Sequence, residues 1–232
     1  MRLRIHYLQN LETAGIGNVV SWASEKGYPL TGTKLYAGEP LPPSEAFDIL
    51  IVLGGNPEEC TAWLDDEIAY IRQVVLAGKG VVGICLGSQL LACAMGGKLI
   101  PNTYAESGWL PVEFKEQTPT HPLLAGTSSR ELFFFHKNTV VLPESFVQHA
   151  STEGCPNQIF TYQDRAIGIQ SHPEMVPETI MNLARDKREN LAEGPYHKVD
   201  IKDAENETNL AGAQALLGQI LDNLSTELCG IK

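Results

Sequence analysis

No run of about 18 apolar residues occurs in the 232-residue chain, so a membrane-spanning helix is not expected. Positive charge is scarce: 17 Lys and Arg stand against 28 Asp and Glu, a formal net charge of -11. That balance argues against attraction to nucleic acid or to an anionic membrane surface. Five cysteines make an odd set with no CxxC pair, which speaks against disulfide staples and against a metal site. There is no P-loop, no dinucleotide G-x-G-x-x-G and no internal repeat, so nucleotide or nicotinamide chemistry and solenoid architecture are not indicated. Met1-Arg-Leu-Arg-Ile-His runs straight into strand-like sequence without the apolar core of a signal peptide, and a cytoplasmic location is the expectation.

What is present reads as one α/β domain over 1–232. Leu3–Leu8 is strand-like and leads to a helix around Asn18 to Lys26. Asp48–Leu53 is a continuous apolar run closed by Gly54-Gly55, the signature of a parallel strand buried on both faces. Helical spacing follows over Trp63 to Ala77, then a short strand at Gly80–Ile84, a turn at Cys85-Leu-Gly-Ser and an apolar helix from Gln89 to Met95. Between Lys98 and Gln170 the pattern changes to β-rich runs at 108–114, 132–135 and 165–170, expected to be antiparallel or mixed. Helices are expected at 178–189 and 210–224, with a polar loop at 199–209. The predicted fold is a doubly wound, mostly parallel, flavodoxin-like sheet with helices on both faces and a smaller antiparallel or mixed β patch. In such sheets ligands bind beyond the carboxyl ends of the strands, where Gly54-Gly55 and Cys85 both fall.

Cys85 sits between a strand and a helix with glycines two positions to either side, in Gly83-Ile-Cys-Leu-Gly-Ser-Gln89. A nucleophile on so sharp a turn needs small neighbours where Cβ atoms would clash. The helix that follows aims the positive end of its dipole at the sulfur, which favours thiolate. A base and an orienting acceptor are still required. Gln170-Ser-His-Pro-Glu174 contains both: His172 just past a predicted strand, and Glu174 placed to accept from the other imidazole nitrogen. Backbone N–H groups of Leu86 and of the Gly54-Gly55-Asn56 turn are candidates for an oxyanion hole.

These residues carry a family resemblance. G-I-C-L-G-S-Q with a later S-H-P-E resembles the class I glutamine amidotransferases, most closely the glutaminase domain of GMP synthetase. The glycine pair 54–55, the stretch Leu91-Ala-Cys-Ala-Met-Gly-Gly-Lys and Glu106-Ser-Gly-Trp-Leu-Pro-Val extend the likeness over about residues 45 to 175. The resemblance implies that Cys85 forms a γ-glutamyl thioester, that His172 is acid and then base, and that Glu174 orients it. It further implies that Gly55 and Leu86 bind the oxyanion, and that Gly54, Asn56, Gln89 and His136 contribute to the substrate pocket. No cofactor or metal is implied. Ammonia would pass to an acceptor on a separate synthetase chain. Two departures stand out: Gly-Gly-Asn-Pro-Glu-Glu where the family commonly has G-G-P, and Phe135-His-Lys-Asn138 where many relatives have H-G-D. Both border the family's substrate pocket, so hydrolysis of a glutathione-like γ-glutamyl peptide stays open, as does a catalytically silent binding module.

Overall fold

A computed structural model describes residues 2–185 and 194–230. Nine strands form one sheet in the order β2-β1-β3-β4-β9-β8-β7-β5-β6. The strands are β1 (Ile5–Gln9), β2 (Leu30–Lys34), β3 (Ile49–Val52), β4 (Gly80–Ile84), β5 (Lys98–Phe114), β6 (Arg130–Val141), β7 (Phe146–Ser151), β8 (Ile159–Tyr162) and β9 (Ala166–Ile169). The helices are α1 (Val19–Glu25), α2 (Leu64–Leu76), α3 (Leu86–Ala94), α4 (Pro177–Arg185) and α5 (Glu207–Gly230). From β2 to β9 neighbouring strands are parallel, and from β9 to β6 they are antiparallel.

Alternation along the central strands builds two cores. Ile49, Ile51, Val82 and Ile84 pack with α1 and α5 on one face, while Leu50, Val52 and Val81 pack with α2 and α3 on the other. Both faces are therefore covered, which explains why β3 and β4 read as unbroken apolar runs. Trp22 Nε1 donates to Asp222 Oδ1 at 2.9 Å and ties α1 to α5. A third, smaller core joins Phe133 and Phe135 of β6 to Met175, Ile180 of α4 and Ala204.

Several boundaries differ from the sequence-based expectation. The helix after Cys85 begins at Leu86, not Gln89, because the chain turns within the single residue Cys85. α5 begins at Glu207, where Asn206 Oδ1 accepts from Asn209 N at 3.1 Å and caps the first turn. The polar segment before it holds a 3₁₀ turn at Ile201–Glu205 with an Asp200 capping box. Of the helix expected at 178–189, the part beyond 185 lies outside the described residues. Strands β7 and β8 lie within the stretch 98–170 expected to be β-rich, whereas β2 is outside any expected strand: it is an edge strand whose half-exposed Leu-Thr-Gly-Thr-Lys has no apolar run to mark it.

Register places the site. Val52 of β3 pairs with Gly83 of β4, and Ile84 of β4 pairs with Ile169 of β9. The parallel strands β1, β3, β4 and β9 thus end on one rim, and the segments after them converge there: Leu11–Gly15, Gly54–Gly55, Cys85 and Ser171–Glu174.

Candidate active site

Cys85 is one of two described non-glycine residues with positive φ, at 51°, with ψ at -110°. Such a conformation stores roughly 1–3 kcal/mol and persists only where packing enforces it. Two glycines make the packing possible. A Cβ on Gly87 would lie 2.0 Å from the Val52 carbonyl oxygen, and one on Gly83 would lie 2.4 Å from the Gly87 carbonyl oxygen. The first turn of α3 is therefore pressed against the ends of β3 and β4, and the Cys85 side chain is held at the rim, 6% exposed.

His172 follows β9 and its backbone N–H donates to Phe133 O at 2.8 Å, anchoring it to β6. Its Nδ1 is 2.8 Å from Glu174 Oε1, leaving Nε2 for the sulfur. Burial acts hardest on the ring and opposes its charge. The carboxylate of Glu174 and the sulfur of Cys85 outweigh that effect through charge and hydrogen bonding, and hold the His172 pKa well above the ordinary value of 6.5. The Glu174 turn is itself fixed from α1: Asn18 N donates to Glu174 O at 2.9 Å and Asn18 Nδ2 to Pro173 O at 2.8 Å. A Cβ on Gly54 would stand 3.1 Å from His172 Cε1, so the glycine lets the imidazole lie directly against the end of β3.

Cys85, His172, Glu174, Gly54, Gly55 and Phe135 line one cavity of about 80 Å³. The N–H groups of Gly55 and Leu86, which opens α3, donate to no protein acceptor among the described residues. The remaining expected pocket residues sit elsewhere. Asn56 caps the following turn, accepting from Glu58 N at 3.1 Å and donating to Glu59 Oε1 at 3.2 Å. His136 is buried away from the cavity in a cross-strand pair, its Nε2 2.8 Å from Glu106 Oε2 and its Nδ1 2.8 Å from Asn138 O. Gln158 also donates to Glu106 Oε2 at 2.6 Å, and Thr152 hydrogen-bonds the other oxygen. Lys137 pairs with Glu58 at 3.1 Å, linking the segment after β3 to β6.

Gln89 is buried and reaches the sulfur only through a residue that the sequence reading passed over. Gln89 Nε2 donates to Asn138 O at 3.1 Å and to Gln170 Oε1 at 2.9 Å, while Gln170 Nε2 points at Cys85 Sγ from 3.7 Å. The signal for Gln170 was its place two positions before His172, since residues i and i+2 leave a strand end on the same face. Asn10 was missed as well. It packs behind Gly55, donates to Glu67 Oε1 at 3.0 Å and accepts from Trp63 Nε1 at 2.9 Å.

A cysteine on a strained strand-to-helix turn, sharing a cavity with a histidine that is bonded to a glutamate, is an arrangement chemically able to support thiol nucleophilic chemistry. Comparison with known sequences settles the family. The profile of the class-I glutamine amidotransferases matches residues 29–188. The chain belongs to the class I glutamine amidotransferase family. It is 33% identical over 201 residues to the glutamine amidotransferase-like protein YfeJ of Salmonella typhimurium, covering 82% of this chain and 84% of that one. It is 32% identical over 133 residues to the glutamine-hydrolysing GMP synthase of Photorhabdus laumondii, but that match covers 54% of this chain and only 25% of the synthase. Among solved structures, a glutamine amidotransferase from Thermotoga maritima has a TM-score of 0.84 at 25% identity, covering 97% of this chain and 98% of that one. The fold of a glutamine amidotransferase from Methylobacillus flagellatus superimposes with a TM-score of 0.87 at 23% identity, covering 97% and 95%. Family membership supports glutamine amide hydrolysis as the general activity. Among the described residues no helix is long and apolar enough to cross a membrane, and no group of three or more His, Cys, Asp or Glu is placed to hold a metal ion.

Proposed function

We propose that the protein hydrolyses a γ-glutamyl amide, glutamine in the first instance, through a γ-glutamyl thioester on Cys85. The observation that carries the reading is that adjacent parallel strands β4 and β9 deliver a strained cysteine and a Glu174-bonded histidine to one cavity.

In this reading Cys85 Sγ attacks the γ-carbonyl carbon, and the developing oxyanion is held by the N–H groups of Gly55 and Leu86. Collapse breaks the C–N bond while His172 Nε2 passes its proton to the departing ammonia. The same nitrogen then takes a proton from water, which attacks the thioester, releases glutamate and restores the thiol. Glu174 keeps the ring aligned and offsets its positive charge. Gln170, donating toward the sulfur, steadies the thiolate, and Gln89 holds Gln170 in place. Ammonia is assigned to an acceptor reaction on a separate partner chain, in keeping with a match to only a quarter of the length of a GMP synthase.

The test is covalent labelling with a diazo-ketone analogue of glutamine, alongside ammonia release from glutamine. An adduct on Cys85 that disappears in Cys85→Ala is expected. A folded protein that neither takes the label nor releases ammonia would leave the silent binding module as the answer.

A further inference from the structure

Behind the cavity, a buried chain of polar groups runs from the sulfur of Cys85 to the β5–β6 strand pair. Glu106 and His136 face each other across those strands, with His136 Nε2 2.8 Å from Glu106 Oε2. Gln158 donates to the same oxygen at 2.6 Å and Thr152 to the other, so three donors converge on one fully buried carboxyl group. Packed hydrocarbon in place of a buried ionic or polar pair is often as stable or more so, and stability alone does not account for this one. The far side of the imidazole meets a backbone carbonyl: His136 Nδ1 is 2.8 Å from Asn138 O. A carbonyl only accepts, so Nδ1 carries a proton and donates it. Gln89 Nε2 donates to the same oxygen at 3.1 Å. Asn138 pairs in register with Pro101, which has no N–H to offer, and its carbonyl receives these two side-chain donors.

The polarity of each further link follows from that carbonyl. Since the Gln89 amide must turn its nitrogen toward Asn138 O, its second N–H is the one that reaches Gln170 Oε1 at 2.9 Å. With its oxygen so engaged, Gln170 presents its Nε2 to Cys85 Sγ, 3.7 Å away. We propose that Glu106 and His136 are positioning residues for the thiol chemistry: they fix the Asn138 carbonyl, through it the facing of the Gln89 and Gln170 amides, and so keep an N–H aimed at the Cys85 sulfur. This rests on the assignment of Cys85 as the thioester-forming nucleophile. The N–H favours the thiolate that attacks and the sulfur that departs when the thioester is hydrolysed. Turned the other way, Gln170 would set its carbonyl oxygen against that negative charge. His136 touches no reacting atom and acts through the Asn138 carbonyl and the two amides.

The test exploits the two sides of the ring. In His136→Asn the amide nitrogen stands near the place of Nδ1 and can still donate to Asn138 O; in His136→Gln it stands near the place of Nε2 and serves Glu106 instead. For glutamine hydrolysis, His136→Gln is expected to lower kcat about tenfold with KM little changed, the scale of one hydrogen bond to a charged group, while His136→Asn keeps most of the parental kcat. Gln170→Met should lower kcat as well, and adding His136→Gln to it should cost almost nothing further, because residues acting through one link are not additive. Urea midpoints identify which variants are folded in the assay. Should His136→Gln not fold, His136→Phe, which fills the space of the ring and offers Asn138 nothing, takes its place in the cycle. A purely structural role would lower the midpoint of both His136 variants without separating their kcat values. Losses that multiply in the double variant, equal losses in the two His136 variants, or a folded His136→Gln protein with the parental kcat would overturn the inference, while labelling of Cys85 in the parent still upholds the hydrolase reading. If the parent neither takes the label nor releases ammonia, that reading falls and this inference with it.

Discussion

Gly87→Ala is the most direct probe of the turn that presents Cys85, the proposed nucleophile. The added Cβ would sit 2.0 Å from the Val52 carbonyl oxygen, 2.6 Å from its carbonyl carbon and 2.9 Å from its Cβ. Real Cβ contacts do not fall below 3.0 Å, so α3 and β3 must separate by about an ångström, and the obstacle is backbone rather than a side chain that can swing away. Overpacking of this kind destabilises by roughly 1–3 kcal/mol. The larger effect is on catalysis. The Leu86 N–H and the sulfur lie at the same helix start, and a misplacement of about 1 Å at reacting groups costs on the order of 10²-fold in rate, about 2.7 kcal/mol of barrier. The assay is glutamine hydrolysis at a temperature where urea denaturation shows the variant fully folded, with Gly218→Ala as control. Gly218 lies in α5 with open space at its Cβ position, and alanine there should stabilise by about 0.5–1 kcal/mol without loss of rate. A folded Gly87→Ala enzyme with the parental kcat would refute the account of the strained turn.

Other outcomes follow from the same geometry. His172→Ala should reduce turnover more than Glu174→Ala, because the carboxylate only orients and charge-balances the base; steady-state rates in the reverse order would contradict the roles given to them. Gln89→Ala should destabilise by about 1–3 kcal/mol, since it strips a donor from two buried oxygens, and should lower kcat by freeing Gln170; a change confined to KM would instead mark Gln89 as a direct substrate contact. Burial pushes the Glu67 carboxyl up to about 7, with one oxygen unpartnered. A carboxyl with a folded pKa above its unfolded one resists ionisation, so its contribution weakens the fold as pH climbs from about 4.5 to about 7. Glu67→Gln should remove that penalty and be more stable at pH 8 by up to about 3 kcal/mol, with little difference near pH 4; equal urea midpoints at pH 8 would show the carboxyl is not so placed.

The strand-turn-helix around Cys85 could be read from its neighbours because the requirement is local: glycines at fixed offsets are demanded by backbone that folds back within a few residues. His172 and Glu174 were legible for a similar reason, being two positions apart on a chain that proline stiffens. His136 and Asn56 are expected at the substrate pocket only through the family resemblance, and one closes a buried pair with Glu106 while the other caps a turn. The aromatic run Phe133-Phe-Phe before His136 points to a core position, and the structure buries it there. Gln170 and Asn10 escaped notice because their partners, Cys85 and Gly55, are brought to them only by pairing of distant strands.

By itself the sequence determined the alternation of buried strands and covering helices, the family, and the local placement of Cys85, His172 and Glu174, since each depends on periodicity or on contacts within a short stretch. Tertiary structure alone decided which side chains meet around the sulfur. Parallel register lined up the ends of β1, β3, β4 and β9, and Thr179 and Leu183 of α4 joined the segments after them in lining one cavity. Which elements become neighbours is fixed by the packing of the whole sheet, and no window along the chain contains that information.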